Sequence, residues 1–179
     1  RNLCPLCNTL QTNKHVLSAC SSSTALDRFT ARHNAVLSKL LVWLHQALGV
    51  KPCKIYADLD STFPSTSEVF SDLRPDIAVV AGKKIYVLEL TICHDTYFEK
   101  SKNYKLNKYT LLREKLLPVF STFSVELFTL EVSVLGFLAD MSEFIKAVKC
   151  SKITAVVMNE ITKIAIDNSR AIYINRDKP

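Results

Sequence analysis

Apolar and polar positions along the 179-residue chain follow helical spacing in some segments and strand-like runs in others. Apolar residues recur at helical spacing over residues 25–48, between a polar stretch at 21–24 that can cap a helix and Gly49, which ends it. We predict a leading helix there, then a first strand at 54–59 and a polar connector at 60–68. The core face of this helix is predicted to consist of Phe29, Val36, Leu37, Leu40, Leu41, Leu44 and Leu48.

The most informative pattern lies in residues 74–91, where two apolar, β-branched runs flank Gly82-Lys83. A two-residue hairpin with glycine first would place Asp76 directly opposite Glu89. Cross-strand partners have Cβ atoms roughly 4.5–5.5 Å apart, close enough for two carboxylates to share one divalent cation. The hairpin therefore indicates a metal site, although two solvated acids at a hairpin end would explain the same residues.

The following segment, 99–117, has the pattern of a helix that Pro118 stops. Lys102, Lys105 and Lys108 stand at successive i, i+3 positions and form one basic stripe. Such a stripe beside two acids can hold a scissile phosphate and steady a leaving oxygen, which is nuclease chemistry. A solvated basic face is the ordinary alternative.

The rest of the chain completes an α/β pattern. Residues 124–134 predict a strand that Gly136 breaks, and two helices are predicted at 138–149 and 152–173. The order of helix, strand, strand pair, helix, strand and helices predicts a mixed sheet flanked by helices.

The N-terminus carries a second candidate metal site. Cys4-x2-Cys7-x7-His15-x4-Cys20 has the spacing of a zinc knuckle, and three thiolates with one imidazole make a closed tetrahedral Zn²⁺ site. The remaining cysteines, which we interpret as reduced thiols of an intracellular protein, are Cys53, Cys93 and Cys150.

Length and composition are consistent with one domain and a small appendage. We therefore divide the chain into a zinc knuckle at 1–22 and a main domain at 23–179 that includes the leading helix.

Hydrophobic residues make up 48% and charged residues 22%, as in a globular protein. No apolar run is long enough to cross a bilayer and no signal-peptide pattern opens the chain, so we expect no membrane partner. The net charge of +6 and pI near 9.0 favour a polyanion without establishing one.

Several motifs resemble those of a known family. They are Arg74-Pro75-Asp76, Glu89-Leu90-Thr91, Lys105-Leu106-Asn107-Lys108-Tyr109 and, after the knuckle, Arg32-His33-Asn34. The first two resemble the PD-(D/E)XK restriction-like nucleases, except that Thr91 stands where that superfamily usually has lysine. The displaced lysine and the order of the motifs are similar to the knuckle and endonuclease domain of site-specific non-LTR retrotransposons.

The resemblance implies a restriction-endonuclease-like core that nicks target DNA. Asp76 and Glu89 would bind Mg²⁺ or Mn²⁺, and Lys105 or Lys108 would stabilise charge at the phosphate, with Lys105 favoured. The new 3′ hydroxyl would prime reverse transcription of the element's RNA in the nucleus. Because the chain opens with Arg1 rather than Met, we expect it to be a fragment, with a reverse transcriptase domain upstream in the same polypeptide.

Further residues are candidates for nucleic-acid binding, each with an alternative. The candidates are Arg32, His33, Asn34, Arg74, Lys102 and Tyr109. His33 is a phosphate contact or a packed helix residue, because nothing in the sequence places it near the hairpin. Arg74 could instead lower the pKa of the two acids, and Tyr109 could pack. The competing hypothesis for the whole chain is a non-catalytic zinc-knuckle module that binds nucleic acid on a nuclease-like fold; a Holliday-junction or repair nuclease is a third.

Overall fold

Helices flank one sheet in the computed structural model, which describes residues 3–59 and 63–178. The helices are α1 (Asn13–Ser18), α2 (Ser23–Leu48), α3 (Phe98–Lys108), α4 (Ser142–Val148) and α5 (Ala155–Ile174). The strands are β1 (Cys53–Ala57), β2 (Ile77–Ala81), β3 (Lys84–Cys93) and β4 (Ser124–Ser133). Part of the predicted connector, residues 60–62, lies outside the described residues.

The sheet is mixed. Its strand order is β1-β2-β3-β4; the first three strands are antiparallel to one another, and β4 pairs parallel to β3. Because a parallel pair needs a crossover, the chain leaves the sheet after β3, forms α3 and returns as β4. The predicted α/β architecture, a mixed sheet flanked by helices, is confirmed.

The β2–β3 hairpin has the register that the sequence predicts. Ala81 pairs with Lys84 at the turn and Ile77 pairs with Leu88 at the far end, so the next positions are Asp76 and Glu89. Gly82 has a φ of 59°, in the left-handed region that glycine adopts without steric cost. The sheet end opposite this turn therefore receives the two acids.

The two sheet faces have separate cores. Leu88 and Leu90 of β3 point to the face covered by α2, α4 and α5, where they pack with residues such as Leu40 and Phe144. The alternate positions point to the other face and pack with Tyr109, Leu112 and Phe70. Since successive strand residues face opposite sides, Glu89 belongs to the second face, which α3 also covers.

The helix after β3 is shorter than predicted. α3 ends at Lys108, and the prediction of one helix over 99–117 was wrong. Residues 112–115 form a 3-10 turn, after which the chain pairs with a distant segment. Ser71 N–H donates to the Lys115 carbonyl, and Leu117 N–H donates to the Val69 carbonyl. This pairing requires extended backbone that a continuous helix cannot supply.

Other boundaries follow from local capping and pairing. α2 begins where expected, because the Ser22 hydroxyl accepts from Ala25 N–H. α4 begins later than predicted, because Leu138 still bridges to Val132 and Ala139 N–H donates to the Glu131 carbonyl. No described helix is both long and apolar enough to cross a bilayer.

The N-terminal segment packs against the main domain through a small apolar cluster. Val16 and Leu17 of α1 contact Val134 and Ile172. The first two residues of the predicted knuckle lie outside the described residues, and its boundary at residue 22 stays a prediction.

One buried acid on β4 has an incomplete set of partners. Glu131 is 5% exposed, and its Oε1 atom has no hydrogen-bond partner among the residues that the structure describes. Burial raises the pKa of its carboxyl. Ionisation of Glu131 therefore lowers the stability of the folded state.

We predict that Glu131→Gln stabilises the protein, and more so at high pH. The pKa of Glu131 is higher in the folded than in the unfolded chain, so its ionisation destabilises the fold as pH rises through the folded value. Glutamine removes that charge and should raise the free energy of unfolding by about 1 kcal/mol at pH 8, with a smaller gain at pH 5.

Denaturant unfolding at the two pH values measures this difference. Glu126→Gln is the matched control, because Glu126 lies on the same strand but pairs with Lys84 at the surface. Equal gains at pH 5 and pH 8, or a loss of stability in Glu131→Gln, would contradict the prediction.

Candidate active site and metal centre

Asp76 and Glu89 hold each other in place through the backbone. Asp76 N–H donates to Glu89 Oε1 at 2.9 Å, and Leu90 N–H donates to Asp76 Oδ2 at 2.7 Å. Glu89 is fully buried and Asp76 is nearly so. These reciprocal bonds fix two carboxylates side by side at the end of the hairpin.

Lys105 of α3 reaches both acids. Its Nζ lies 2.5 Å from Glu89 Oε2 and 3.7 Å from Asp76 Oδ2. Lys108 instead places its Nζ 4.8 Å from the ring centroid of Tyr109, and Lys102 is exposed on another flank of the helix. The predicted stripe of three lysines is therefore divided, and of Lys105 and Lys108 it is Lys105 that contacts the two acids.

His33 of α2 also contacts the pair of acids Asp76 and Glu89, called the diacid below. This contact was not predicted from the sequence. Its Nε2 lies 3.4 Å from Asp76 Oδ2, and its Nδ1 lies 3.2 Å from Asn34 Oδ1. A usable signal was available, because position 33 falls at helical spacing between the predicted core positions Phe29 and Leu37. A histidine on that face was therefore expected to lie against the sheet, but the sequence pattern did not indicate that it would reach the end of the hairpin.

The charges of the four groups are interdependent. Burial alone would raise the pKa of Asp76, but the hydrogen bond and charge of His33 and the charge of Lys105 lower it. Burial raises the pKa of Glu89, and the charge of Asp76 adds to this. Burial opposes the charged forms of His33 and Lys105, yet the acids raise both pKa values. The site therefore favours an ionised Asp76, stabilised by the hydrogen bond from His33 and by the charge of Lys105.

A third carboxylate borders the diacid. Asp58 directly follows β1. Because β1 pairs Ala57 with Ile77 of β2, Asp58 lies next to Asp76. The Asp58 N–H donates to the Asp76 carbonyl at 3.0 Å. Arg74 Nη2 lies 2.5 Å from Asp58 Oδ1. The guanidinium thus pairs with Asp58 rather than with the diacid. Pairing the first predicted strand with the hairpin would have revealed Asp58.

Two predicted nucleic-acid contacts do not fit their positions. Arg32 is 1% exposed and donates to Ser169 Oγ at 3.0 Å, and burial lowers its pKa to about 10. Tyr109 is also buried, and its hydroxyl donates to the Arg74 carbonyl at 3.4 Å. Neither side chain can reach a nucleic acid without unpacking the fold. The other four candidates stay predictions: His33 and Asn34 beside the diacid, Arg74, and the exposed Lys102.

The four predicted zinc ligands converge. The donor atoms of Cys4, Cys7, His15 and Cys20 all lie within 4.8 Å of one another. No other group of three or more His, Cys, Asp or Glu donors converges in this way among residues 3–59 and 63–178. This donor set suits a closed tetrahedral metal site.

Local structure brings these ligands together. Asn8 has a φ of 59°, and its N–H donates to the Cys4 carbonyl at 2.8 Å, which closes the turn between the first two cysteines. The Thr12 hydroxyl caps α1 by accepting from His15 N–H. Hydrogen bonds from Thr9 lower the pKa of Cys7 to about 6, which favours the thiolate that binds metal.

Similarity to known proteins is detectable only in the fold. No family model and no curated protein matches the sequence. Among solved structures, the chain is similar to the cap-snatching endonuclease of Toscana virus, with a TM-score of 0.50 and 16% identity over 87% of this chain and 69% of that one. A structure from work on cap-snatching endonucleases of Phenuiviridae has a TM-score of 0.49 and 16% identity over 86% of this chain.

The chain spans 66% of the Phenuiviridae chain and 60% of a second Toscana virus structure, less than two thirds in each case. At such identities the likeness to the Toscana virus enzyme with the TM-score of 0.50 shows the fold alone. The fold is accordingly that of the α/β endonucleases, a mixed four-stranded sheet with flanking helices, preceded by a Cys/His cluster.

We predict that the purified chain binds one zinc ion and that Cys7→Ser releases it. Loss of one of four ligands opens the tetrahedral site and should weaken binding by several orders of magnitude. Metal analysis after dialysis against a weak chelator measures the stoichiometry. Cys53→Ser is the control, because Cys53 lies outside the cluster. Zinc retained by Cys7→Ser at the level of the parent would refute the assignment.

We also predict that Lys105→Gln destabilises the protein, and less so in acid. Without the ammonium, two buried carboxylates face each other uncompensated, at a cost of about 2 kcal/mol at pH 8. Protonation of Glu89, whose pKa is already raised, relieves the repulsion, so the deficit should shrink at pH 5.

Denaturant unfolding at both pH values tests this expectation. Lys108→Gln serves as the control, since Lys108 is exposed on the same helix and forms no ion pair with the acids among the described residues. A pH-independent deficit, or the same deficit in both variants, would contradict it.

Proposed function

We propose that the chain is a metal-dependent endonuclease that nicks DNA, as part of a non-LTR retrotransposon protein. The observation that carries this proposal is the arrangement of Asp76, Glu89 and Lys105, in which one ammonium reaches two fixed and buried carboxylates. Structural ion pairs are more often exposed or built from one acid and one base. Two adjacent acids with one lysine in a nuclease-like fold are the groups that phosphodiester hydrolysis requires.

The donor set fits a hard divalent cation. Asp76 and Glu89 would hold Mg²⁺ or Mn²⁺ through carboxylate oxygens. His33 Nε2 lies 3.4 Å from Asp76 Oδ2, where its N–H can donate to the carboxylate that would hold the ion. When bound, such a cation would polarise the scissile phosphate and make an attacking water more acidic.

The protein's own groups would position and neutralise the phosphate. Lys105 is held on a helix rather than a loop, so its ammonium is pre-organised to stabilise the negative charge that develops during attack. The hydrogen bonds from Asp76 and Leu90 N–H keep both carboxylates from rotating away. The exposed Lys102, and Arg74 beside its partner Asp58, would contact the DNA backbone.

The retrotransposon assignment is supported by sequence motifs rather than by the fold. The knuckle, the Arg32-His33-Asn34 helix and the Asp76, Glu89 and Lys105 positions follow one another in the order of that family. In that setting the nicked strand would prime reverse transcription in the nucleus by a domain of the same polypeptide. The zinc-bound knuckle would hold DNA or the element's RNA.

Nicking of supercoiled plasmid tests the enzymatic proposal. We expect the zinc-loaded chain to relax the plasmid in Mg²⁺ or Mn²⁺, and Asp76→Asn, Glu89→Gln and Lys105→Gln to lower the rate at least a hundredfold. Asp72→Asn is the matched control, since Asp72 is an exposed acid that pairs with Lys115 away from the site. Single-stranded RNA is assayed in parallel because the similar solved structures are cap-snatching endonucleases.

The outcomes separate the alternatives. Equal nicking by the parent and the Asp76 variant would mean that the activity is a contaminant. Absence of cleavage on both substrates, with retained DNA binding, would favour the non-catalytic nucleic-acid-binding module. Cleavage of RNA but not of DNA would refute DNA as the substrate but would still support Asp76, Glu89 and Lys105 as the catalytic site.

A further inference from the structure

A cleft opens on the side of the catalytic lysine that faces the zinc module. It has a volume of about 460 Å³, within the roughly 300–1,000 Å³ of small-ligand sites. Ser18 and Ala19 at the end of α1 form one wall, and α3 forms the other with Tyr104 and Lys105. The cleft therefore joins the two predicted modules and leads to the groups that contact the diacid.

The walls carry aromatic rings and positive charge. Tyr104, a large aromatic residue of α3, is 65% exposed. Lys14 Nζ lies 3.7 Å from the centroid of the Tyr97 ring, and Lys100 Nζ lies 6.0 Å from the same ring. Lys100 and Lys105 line the cleft, and Lys14 lies against Tyr97, which also lines it.

We propose that this cleft binds one or two nucleotides of a single strand next to the scissile phosphate. An unpaired base would stack on Tyr104, and its flanking phosphates would contact Lys100 and Lys14. Stacking requires an exposed base face, so a single strand or an unpaired end fits better than an intact duplex. The inference rests on the proposed endonuclease function for the position of the scissile phosphate, but the binding itself does not require cleavage.

Binding of a labelled single-stranded DNA 12-mer, measured by fluorescence anisotropy without added Mg²⁺, tests the proposal. We expect Tyr104→Ala to weaken binding about tenfold, equivalent to about 1.4 kcal/mol. Tyr104→Phe should bind like the parent, because it keeps the stacking ring. Lys100→Ala should weaken binding and reduce the slope of log K against log salt by about 0.7, the value for one contact with single-stranded phosphate.

Two substitutions outside the cleft are matched controls. Tyr173→Ala removes another exposed tyrosine with a neighbouring cation, Arg176 at 4.5 Å. Lys83→Ala removes an exposed lysine at the hairpin turn, at the opposite end of the strands from Asp76. Both should bind the oligonucleotide as the parent does.

The result distinguishes this inference from the enzymatic proposal. If Tyr104→Ala and Lys100→Ala bind as tightly as the parent, the cleft is not a strand site, whatever the nicking assay gives. If Tyr104→Phe loses as much affinity as Tyr104→Ala, stacking is refuted. If both predicted losses occur while the plasmid stays intact, the strand site stands and only the endonuclease proposal fails.

Discussion

The structure depends on the neutralisation of two buried carboxylates by one ammonium. Glu89 has no access to solvent, and Asp76 accepts a backbone hydrogen bond at its side. Without Lys105, the adjacent negative charges of Asp76 and Glu89 would force one carboxylate to take up a proton or the end of the hairpin to open. Each neighbouring element is therefore constrained, because a small shift of α3 would withdraw the cation.

The topology meets this constraint with few elements. The hairpin places the acids by register, and the parallel return of the chain into β4 requires a crossover helix on the sheet face that Glu89 shares. α2, which packs on the opposite face, brings His33 to Asp76 at the sheet end. The Cys/His cluster packs on the main domain through α1. The end of α1 lines the cleft beside Lys105. A separate strand or domain is not needed to complete the constellation.

Local features of the sequence predicted much of this arrangement, and long-range packing decided the rest. The glycine turn and the apolar runs were sufficient for the register of Asp76 against Glu89, and a serine cap and Gly49 bounded α2. Periodicity could not determine how α3 rotates on the sheet, so Lys105 and Lys108 could not be separated. The end of α3, the burial of Arg32 and the contact of His33 each depend on segments far away in the sequence, which no local pattern encodes.

The proposed catalytic role would require Lys105 to contact a phosphate in addition to the two acids that it neutralises in the structure. In the structure, its ammonium neutralises the acids; during hydrolysis it would have to face a phosphate instead. It can do so only if another cation takes over the acids, since a phosphate brings further negative charge into a site that is already acidic. A divalent ion held by the two acids would supply two positive charges where the lysine supplies one. The ion pair thus stabilises the protein as it stands, and under the proposed function Lys105 would be available to a phosphate only if a metal ion held the two acids.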